Sequence, residues 1–274
     1  MHRLSKIFSI IVGVGLILGV WACLVEPSLL MQKNISLNQW SGPPLKIAFF
    51  SDLHAGSPHI DEKYIEKLIL RINAMSPDIV LVGGDLLING VVGGEFMPIE
   101  KVAALLRKLK APFGVYAVLG NHDWWNDGEK IQRVLEKSGI SVLENQAKLI
   151  QVDKNYHFWL VGIGDDFTKH ARVDLALSKI NTDGPRILFM HDPAALFQVK
   201  DKFFLALAGH LHGGQVYIPG IGALVVPGNA PKSWSSGWID FEYGSLFVSK
   251  GIGTSIFPVR FSAVPEFVIL ELKP

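Results

Sequence analysis

Five apolar runs in this chain stop at a residue that can bind a cation. "LKIAFFS" ends at Asp52, "DIVLVGG" at Asp85, "VYAVLG" at Asn121, "RILFM" at His191 and "FLALAG" at His210. Apolar runs this short, closed by glycine or polar residues, read as buried strands. In open α/β sheets, ligands bind beyond the carboxyl ends of the strands. A lone Asp or Asn at a strand end is by default a helix cap or a turn former. Five cation-capable residues at five strand ends are poorly explained that way. The pattern points to one site beyond a row of strands.

The segments between the runs set the fold class. "DEKYIEKLILRINAM" places apolar residues at helical spacing behind an acidic first turn, and "PIEKVAALLRKLK" and "GEKIQRVLEKSG" also read as helices. Strands alternating with helices predict parallel βαβ units. The second half is richer in strands: "AKLIQV", "HFWLVGI", "GQVYIP", "GSLFVSKG" and "PEFVILELK", with one helix around "VDLALSKI". No repeat or Gly/Ser linker divides the 274 residues, enough for one large α/β domain or two small ones.

Charge narrows the partners. The formal net charge is +1, without the basic excess that marks a nucleic-acid binder, so no nucleic-acid partner is expected. The single cysteine, Cys23, excludes an internal disulfide.

Apolar residues make up 49% of the chain, and part of that share lies at the N-terminus. "IFSIIVGVGLILGVWACLV", Ile7 to Val25, carries no charge before Glu26. As a helix it reaches about 28 Å, close to the thickness of a bilayer core. Gly13, Gly15 and Gly19 are tolerated in a membrane helix. A cleaved signal peptide is the alternative, but bulky Trp21 spoils the small-residue cleavage pattern at Ala22. The expected organisation is an anchor over residues 1–26, a linker over 27–44 and a catalytic domain over 45–274. Residues 26–44 read equally as an edge strand leading off the membrane. Arg3 and Lys6 precede the apolar run, which predicts a single-pass inner-membrane protein with its domain on the outer, periplasmic side.

The donors have a definite chemistry. Asp52 and His54 form a D-x-H pair, and Asp85 has two oxygens able to bridge two cations. Asn121 offers an amide oxygen, and His191, His210 and His212 add imidazole nitrogens. In "GHLHGGQ", His210 and His212 are either metal ligands or a packed or solvent-facing pair. Seven donors of mixed N and O character, with no thiolate, exceed one tetrahedral zinc site. They suit two divalent cations a few ångströms apart.

The blocks "SDLH", "GGDL", "GNHD", "MHD" and "GHLHGGQ", in this order, resemble the calcineurin-like metallophosphoesterase superfamily from about residue 45 to the C-terminus. "GNHDWWNDGE", "VSKGIGTS" and "PVRFSAVPEFVILEL" further resemble its bacterial YaeI/YkuE-like membrane-associated branch, whose relatives include enzymes of lipid A precursor hydrolysis. Leu211 stands where that branch usually has threonine, and Lys250 where it often has arginine. The resemblance implies an α/β fold: a four-layer α/β/β/α sandwich of two mixed sheets flanked by helices, plus the N-terminal membrane helix. It implies that Asp52, His54 and His212 hold one metal, that Asn121, His191 and His210 hold a second, and that Asp85 bridges them. It implies that His122 faces the substrate's leaving oxygen, with Asp123 as its orienting partner. Two divalent metal ions per chain follow, Mn²⁺ first, with Fe, Zn or Mg as alternatives.

The implied activity is a phosphodiesterase or pyrophosphatase acting on a lipid-linked or sugar-nucleotide-lipid phosphoester, through hydroxide held between the cations. Alternatives are a tethered phosphodiesterase for soluble nucleotides and a non-catalytic scaffold. Several other residues lie outside these roles. His59, His157 and His170 are expected at the surface or behind the site, with His59 near enough to line the cleft. Trp124 and Trp125 are expected as a wall or rim. "SWSSGW" would touch lipid or cover an edge, and "GVVGGE" lacks the Lys-Ser/Thr of a phosphate loop.

Overall fold

A computed structural model describes residues 2–274, with side chains from residue 5 onward. Arg3, one of the two charges behind the expected orientation, lies outside the residues whose side chains are described. From the N-terminus the chain forms α1 (His2–Val20), β1 (Met31–Leu37), β2 (Leu45–Phe50), α2 (Glu62–Ala74), β3 (Ile79–Gly83), α3 (Ile99–Leu106), β4 (Val115–Val118), α4 (Asn121–Lys137) and β5 (Ser141–Val142). The second half forms β6 (Gln146–Gln151), β7 (His157–Ile163), α5 (Val173–Leu177), β8 (Arg186–Met190), β9 (Leu205–Ala208), β10 (Tyr217–Ile218), β11 (Gly222–Ala223), β12 (Gly237–Phe241), β13 (Gly244–Val248) and β14 (Glu266–Leu272).

Among the described residues two six-stranded sheets face each other, in the orders β1-β14-β2-β3-β4-β5 and β12-β13-β9-β8-β7-β6. β2, β3, β4 and β5 are parallel, as the βαβ pattern requires. β14 inserts antiparallel to β2, and β6 and β12 run antiparallel to their neighbours, so both sheets are mixed.

Alternation along the strands builds the layers. Leu45, Ile47 and Phe49 point from the first sheet toward Phe158, Leu160, Phe189, Leu205 and Leu207 of the second, forming the inter-sheet core. Ala48 and Phe50 point the other way, onto Ile65, Leu68 and Ile72 of α2 and Val102 and Leu106 of α3. On the far side, Val161, Leu188, Ala206 and Leu246 meet Val173 and Ala176 of α5 and Ala194 to Leu196 of a 3₁₀ turn. The result is the expected α/β/β/α sandwich, with a thinner outer layer over the second sheet.

Three local expectations change. The stretch assigned to a linker over 27–44 is partly sheet: Met31–Leu37 pairs in parallel with Glu266–Leu272, so the edge-strand alternative holds there. Its ladder partner β14 lies more than 200 positions away, beyond the reach of local pattern. The run around "GQVYIP" contracts to Tyr217–Ile218, paired with Gly222–Ala223 in a small hairpin. The last two residues of "SWSSGW" begin an additional strand, β12, whose Trp238 packs on Phe247. Trp234 lies between Phe197 and Phe241, so this aromatic stretch covers a sheet edge.

Trp40 ties the N-terminal stretch to the core. It is 2% exposed, donates from Nε1 to the Pro43 carbonyl at 2.9 Å, and meets Phe158 edge-on with ring centroids 5.5 Å apart. Trp40→Ala is expected to cost about 3–5 kcal/mol, the usual range for emptying a buried aromatic position. Urea denaturation checks this. A loss below about 1 kcal/mol would show that residues 27–44 are not part of the folded unit.

Candidate metal centre

The strand ends of both sheets meet at one edge. β2 delivers Asp52 and His54, β3 delivers Asp85, β4 leads into Asn121 and His122, β8 delivers His191, and β9 leads to His210 and His212. Backbone bonds set the spacing: the N–H of Asp52 donates to Gly84 and that of His54 to Asp85, each at 2.9 Å, and the N–H of Gly209 donates to His191 at 3.0 Å. Five of these residues hold left-handed backbone, with φ of 54° at Asp52, 44° at His54, 51° at Asp85, 69° at His210 and 53° at His212. Such conformations cost non-glycine residues roughly 1 kcal/mol or more each and cluster where a site needs side chains aimed one way.

Glycine permits the close approaches. A Cβ on Gly120 would overlap the Asp85 carboxylate, and one on Gly209 would overlap Ser51 and Asp52. The glycine that opens "GHLHGGQ" thus lets the β9 end pass against the β2 end.

The donor atoms form two sets. In one, His212 Nε2 lies 3.4 Å from Asp52 Oδ1 and 3.2 Å from His54 Nε2, which is 3.5 Å from Asp85 Oδ2. In the other, His191 Nε2 lies 3.3 Å from the same Asp85 oxygen, 3.2 Å from Asn121 Oδ1 and 3.0 Å from His210 Nδ1. Bonds of about 2.0–2.2 Å around a cation put tetrahedral ligands about 3.3–3.5 Å apart and octahedral ones about 3 Å apart. The observed separations are edges of that size, and all seven residues are buried. The residues therefore fit two divalent cations with Asp85 shared.

Electrostatics agree. Burial holds His54 down to about 3 and His210 and His212 well below the usual imidazole value, so all three are neutral donors. Burial also pushes His191 down, but Asp85 and Asp52 outweigh it and lift His191 well above its ordinary value. The carboxylates favour positive charge here, which a divalent cation held by these residues would supply in place of a proton. The His191 Nδ1 lies 2.9 Å from the Gly83 carbonyl, which leaves the Nε2 lone pair facing the site.

His122 sits beside both sets without joining the shortest contacts. Its ring stands edge-on to His54 at 4.7 Å and tilts against Trp125 at 4.9 Å, while Nε2 lies 3.4 Å from Ser255 Oγ. Among the described residues Nδ1 has no hydrogen-bond partner. The expected orienting role of Asp123 is corrected by its contacts. Asp123 accepts from the N–H of Leu86 at 2.9 Å and from the N–H of Gly120 at 3.0 Å, so it caps α4 and ties the β3 and β4 ends together. Both oxygens are engaged away from His122, because the helical turn from Asn121 projects adjacent side chains to different sides.

The remaining residues separate clearly. Trp125 and Phe167 form a wall reaching His210. Trp124 stacks flat on His170 at 3.7 Å. His59 meets the Cys23 carbonyl and His157 the Asp183 carbonyl, so neither enters the site. Sequence reasoning assigned no role to two supporting residues. Glu144, at the β5–β6 turn, accepts from the N–H of Leu119 at 2.7 Å and steadies the turn before Asn121; burial lifts it to about 8. Arg260 is fully buried; it donates to the carbonyls of Gly253, Lys250 and Ala263 and reaches within 3.4 Å of His212 Nδ1. Only its place in "PVRFSAVPEFVILEL" hinted at it.

Two mixed nitrogen and oxygen donor sets sharing one carboxylate, at the strand ends of paired sheets, fit a two-cation site. The family model for calcineurin-like phosphoesterases matches residues 45–214. "Phosphodiesterase YaeI" of Escherichia coli is 30% identical over 89% of this chain and 87% of its own length. "Uncharacterized metallophosphoesterase YkuE" of Bacillus subtilis is 29% identical over 83% and 79%. A Danio rerio "Transmembrane protein with metallophosphoesterase domain" is 27% identical over 84% of this chain and 53% of its own. The chain belongs to the calcineurin-like metallophosphoesterases, and it is a metal-dependent phosphoester hydrolase.

Asp85→Asn removes the one charge common to both donor sets. Elemental analysis of the purified variant is expected to show depletion at both positions, with turnover falling together with metal. Two cations per chain and undiminished turnover would remove Asp85 from the shared position.

Proposed function

We propose that the chain is a membrane-anchored phosphodiesterase or pyrophosphatase acting on a lipid-linked phosphoester. In this reading Asp52, His54 and His212 hold one divalent cation, Asn121, His191 and His210 hold a second, and Asp85 serves both. The observation that carries it is the Asp85 Oδ2, 3.5 Å from His54 Nε2 and 3.3 Å from His191 Nε2. Mn²⁺ is proposed first, because carboxylate and amide oxygens stand beside imidazoles with no thiolate. When bound, the cation pair supplies Lewis acidity and lowers the pKa of water toward about 7.

The chain's own groups do the rest. Asp85 is held in place by the N–H of His122, which donates to its Oδ1 at 2.8 Å. His122 presents an imidazole at the edge of the site and gives a proton to the departing oxygen. Trp125 and Phe167 give that edge an apolar rim. A cleft of about 470 Å³ adjoins Gly213, next to His212, and is lined by Lys232, Lys250, Tyr217 and Ile221 among others. Two ammonium groups beside apolar side chains suit an anion carrying an apolar tail. Lys250 is a point charge, so it attracts phosphate without the two-pronged grip of an arginine.

The anchor rests on α1. Residues Ser5–Ser28 form a helix long and apolar enough to cross a membrane by length and composition. Lys6, with Arg3 before it, favours a cytoplasmic N-terminus and an outer catalytic domain. Reporter domains active on only one side of the membrane, fused after residue 274, test this. Activity of the outer-side reporter is expected; activity of the cytoplasmic one would reverse the orientation.

His122→Asn tests the proton donor. The variant is expected to keep both cations and lose about 10²- to 10⁴-fold in turnover on an alkyl phosphodiester. The loss should shrink for nitrophenyl esters, whose leaving group scarcely needs a proton. Equal loss on both substrates with full metal content would mean that the proton comes from elsewhere. Loss of metal would instead make His122 a ligand.

A further inference from the structure

The apolar helix is fastened to the catalytic domain without slack. Glu26, in its last turn, is 2% exposed and held at both oxygens: Oε2 accepts from Trp21 Nε1 at 2.7 Å, and Oε1 accepts from the N–H of Ala263 at 2.6 Å. The N–H of Arg260 donates to the Ala22 carbonyl at 2.9 Å, and the N–H of Met31 donates to Pro265 at 2.8 Å. Every few residues from Ala22 to Met31, the chain is tied to the segment 260–265. A helix tied in this way brings the loop 255–263 to the bilayer surface when it crosses a membrane.

That loop is apolar and exposed. Ile256 and Phe257 are each 61% exposed. The Ile256 carbonyl accepts from the N–H of Val92 at 3.0 Å, and the Phe261 carbonyl accepts from the N–H of Tyr217 at 2.8 Å. The two segments stitched to it also display large apolar side chains: Val92 and Phe96 at 56% and 59% on one, Ile221 and Val225 at 74% and 71% on the other. Exposed apolar side chains gathered on neighbouring loops mark an interaction surface.

We infer that these three loops form a second bilayer contact, separate from α1, that lays the mouth of the metal centre on the headgroup layer. The occupant is a lipid surface because the loop 255–263, to which the other two are bonded, is itself bonded to the exit of a helix apolar enough to span one. Ser255 carries the contact to the site: its Oγ is 3.4 Å from His122 Nε2, and the next residue is Ile256. A phosphoester at headgroup depth then reaches His122 without leaving the membrane. That consequence rests on the lipid-linked reading above; the contact itself rests only on α1 as an anchor.

The test uses the full chain in vesicles of phosphatidylcholine, and of phosphatidylcholine with phosphatidylglycerol. In a Cys23→Ser background, single nitroxide labels are placed at Phe96→Cys, Val225→Cys and Ile256→Cys. Ile11→Cys in α1 marks the bilayer interior and Leu70→Cys in α2 marks water; these side chains are 63% and 69% exposed. Collision with oxygen and with a nickel chelate reads the depth of each label. The three loop labels are expected to exclude nickel relative to Leu70→Cys in both lipid mixtures. Loop labels as wet as Leu70→Cys, with Ile11→Cys inside the bilayer, overturn the contact. A wet Ile11→Cys overturns it as well, because the anchor is then absent.

Turnover separates the substrate question. The triple variant Val225→Ser, Ile256→Ser, Phe257→Ser is expected to keep its rate on soluble bis(p-nitrophenyl) phosphate. On a phosphodiester lipid in vesicles it should lose about tenfold or more, as buried apolar area is removed from the membrane contact. Loop labels at depth together with no turnover of any lipid-borne diester would keep the contact and remove the lipid-linked reading.

Discussion

One buried carboxylate organises this protein. Asp85 is 1% exposed and lies between imidazoles delivered by both sheets, His54 from β2 and His191 from β8. A carboxylate removed from water costs several kcal/mol unless positive charge and hydrogen bonds compensate. Here the N–H of His122 satisfies one oxygen, and the other faces the donor nitrogens. The two sheets must therefore meet with the carboxyl ends of β2, β3, β4, β8 and β9 at one edge. The left-handed backbone at five donor positions is the local strain of that convergence, and cations bound there would offset it.

Around the donors lies a ring of residues that brace the backbone. Asp123 joins the β3 and β4 turns through Leu86 and Gly120. Glu144 steadies Leu119, and Arg260 braces the loop beside His212 through four backbone carbonyls. Arg260 also links two parts of the molecule. Its backbone N–H holds the end of the apolar helix, while its side chain reaches within 3.4 Å of a donor imidazole. The apolar N-terminal helix and the candidate metal centre thus share one loop.

The elements differ in how readily a local pattern exposes them. β2, β3, β7, β8 and β14 are apolar runs of five to seven residues, and α2 carries its apolar face at helical spacing behind an Asp61 cap that accepts from the N–H of Tyr64. Such signals survive in any window of the chain. β1 is half-exposed and, among the described residues, pairs only with β14, so "MQKNISL" looks like linker until its distant partner is in place. β12 alternates weakly and begins inside an aromatic stretch whose rings pack between segments. Asp123 misleads for a related reason: adjacency to His122 in sequence is not contact, because a helical turn separates neighbouring side chains.

By itself, the sequence determined the chemistry: seven oxygen and nitrogen donors at strand ends, no thiolate, and an apolar helix before them. Those properties are local, set by residue type and spacing. The tertiary structure alone decided which atoms meet. His54 Nε2 lies 3.2 Å from His212 Nε2 across 158 residues, and His191 Nε2 lies 3.2 Å from Asn121 Oδ1 across 70. It also decided that Glu144 and Arg260 support the site and that Glu26 binds the helix end to the loop beside it. These contacts depend on how two sheets pack face to face, and packing couples residues too far apart for any local pattern to record.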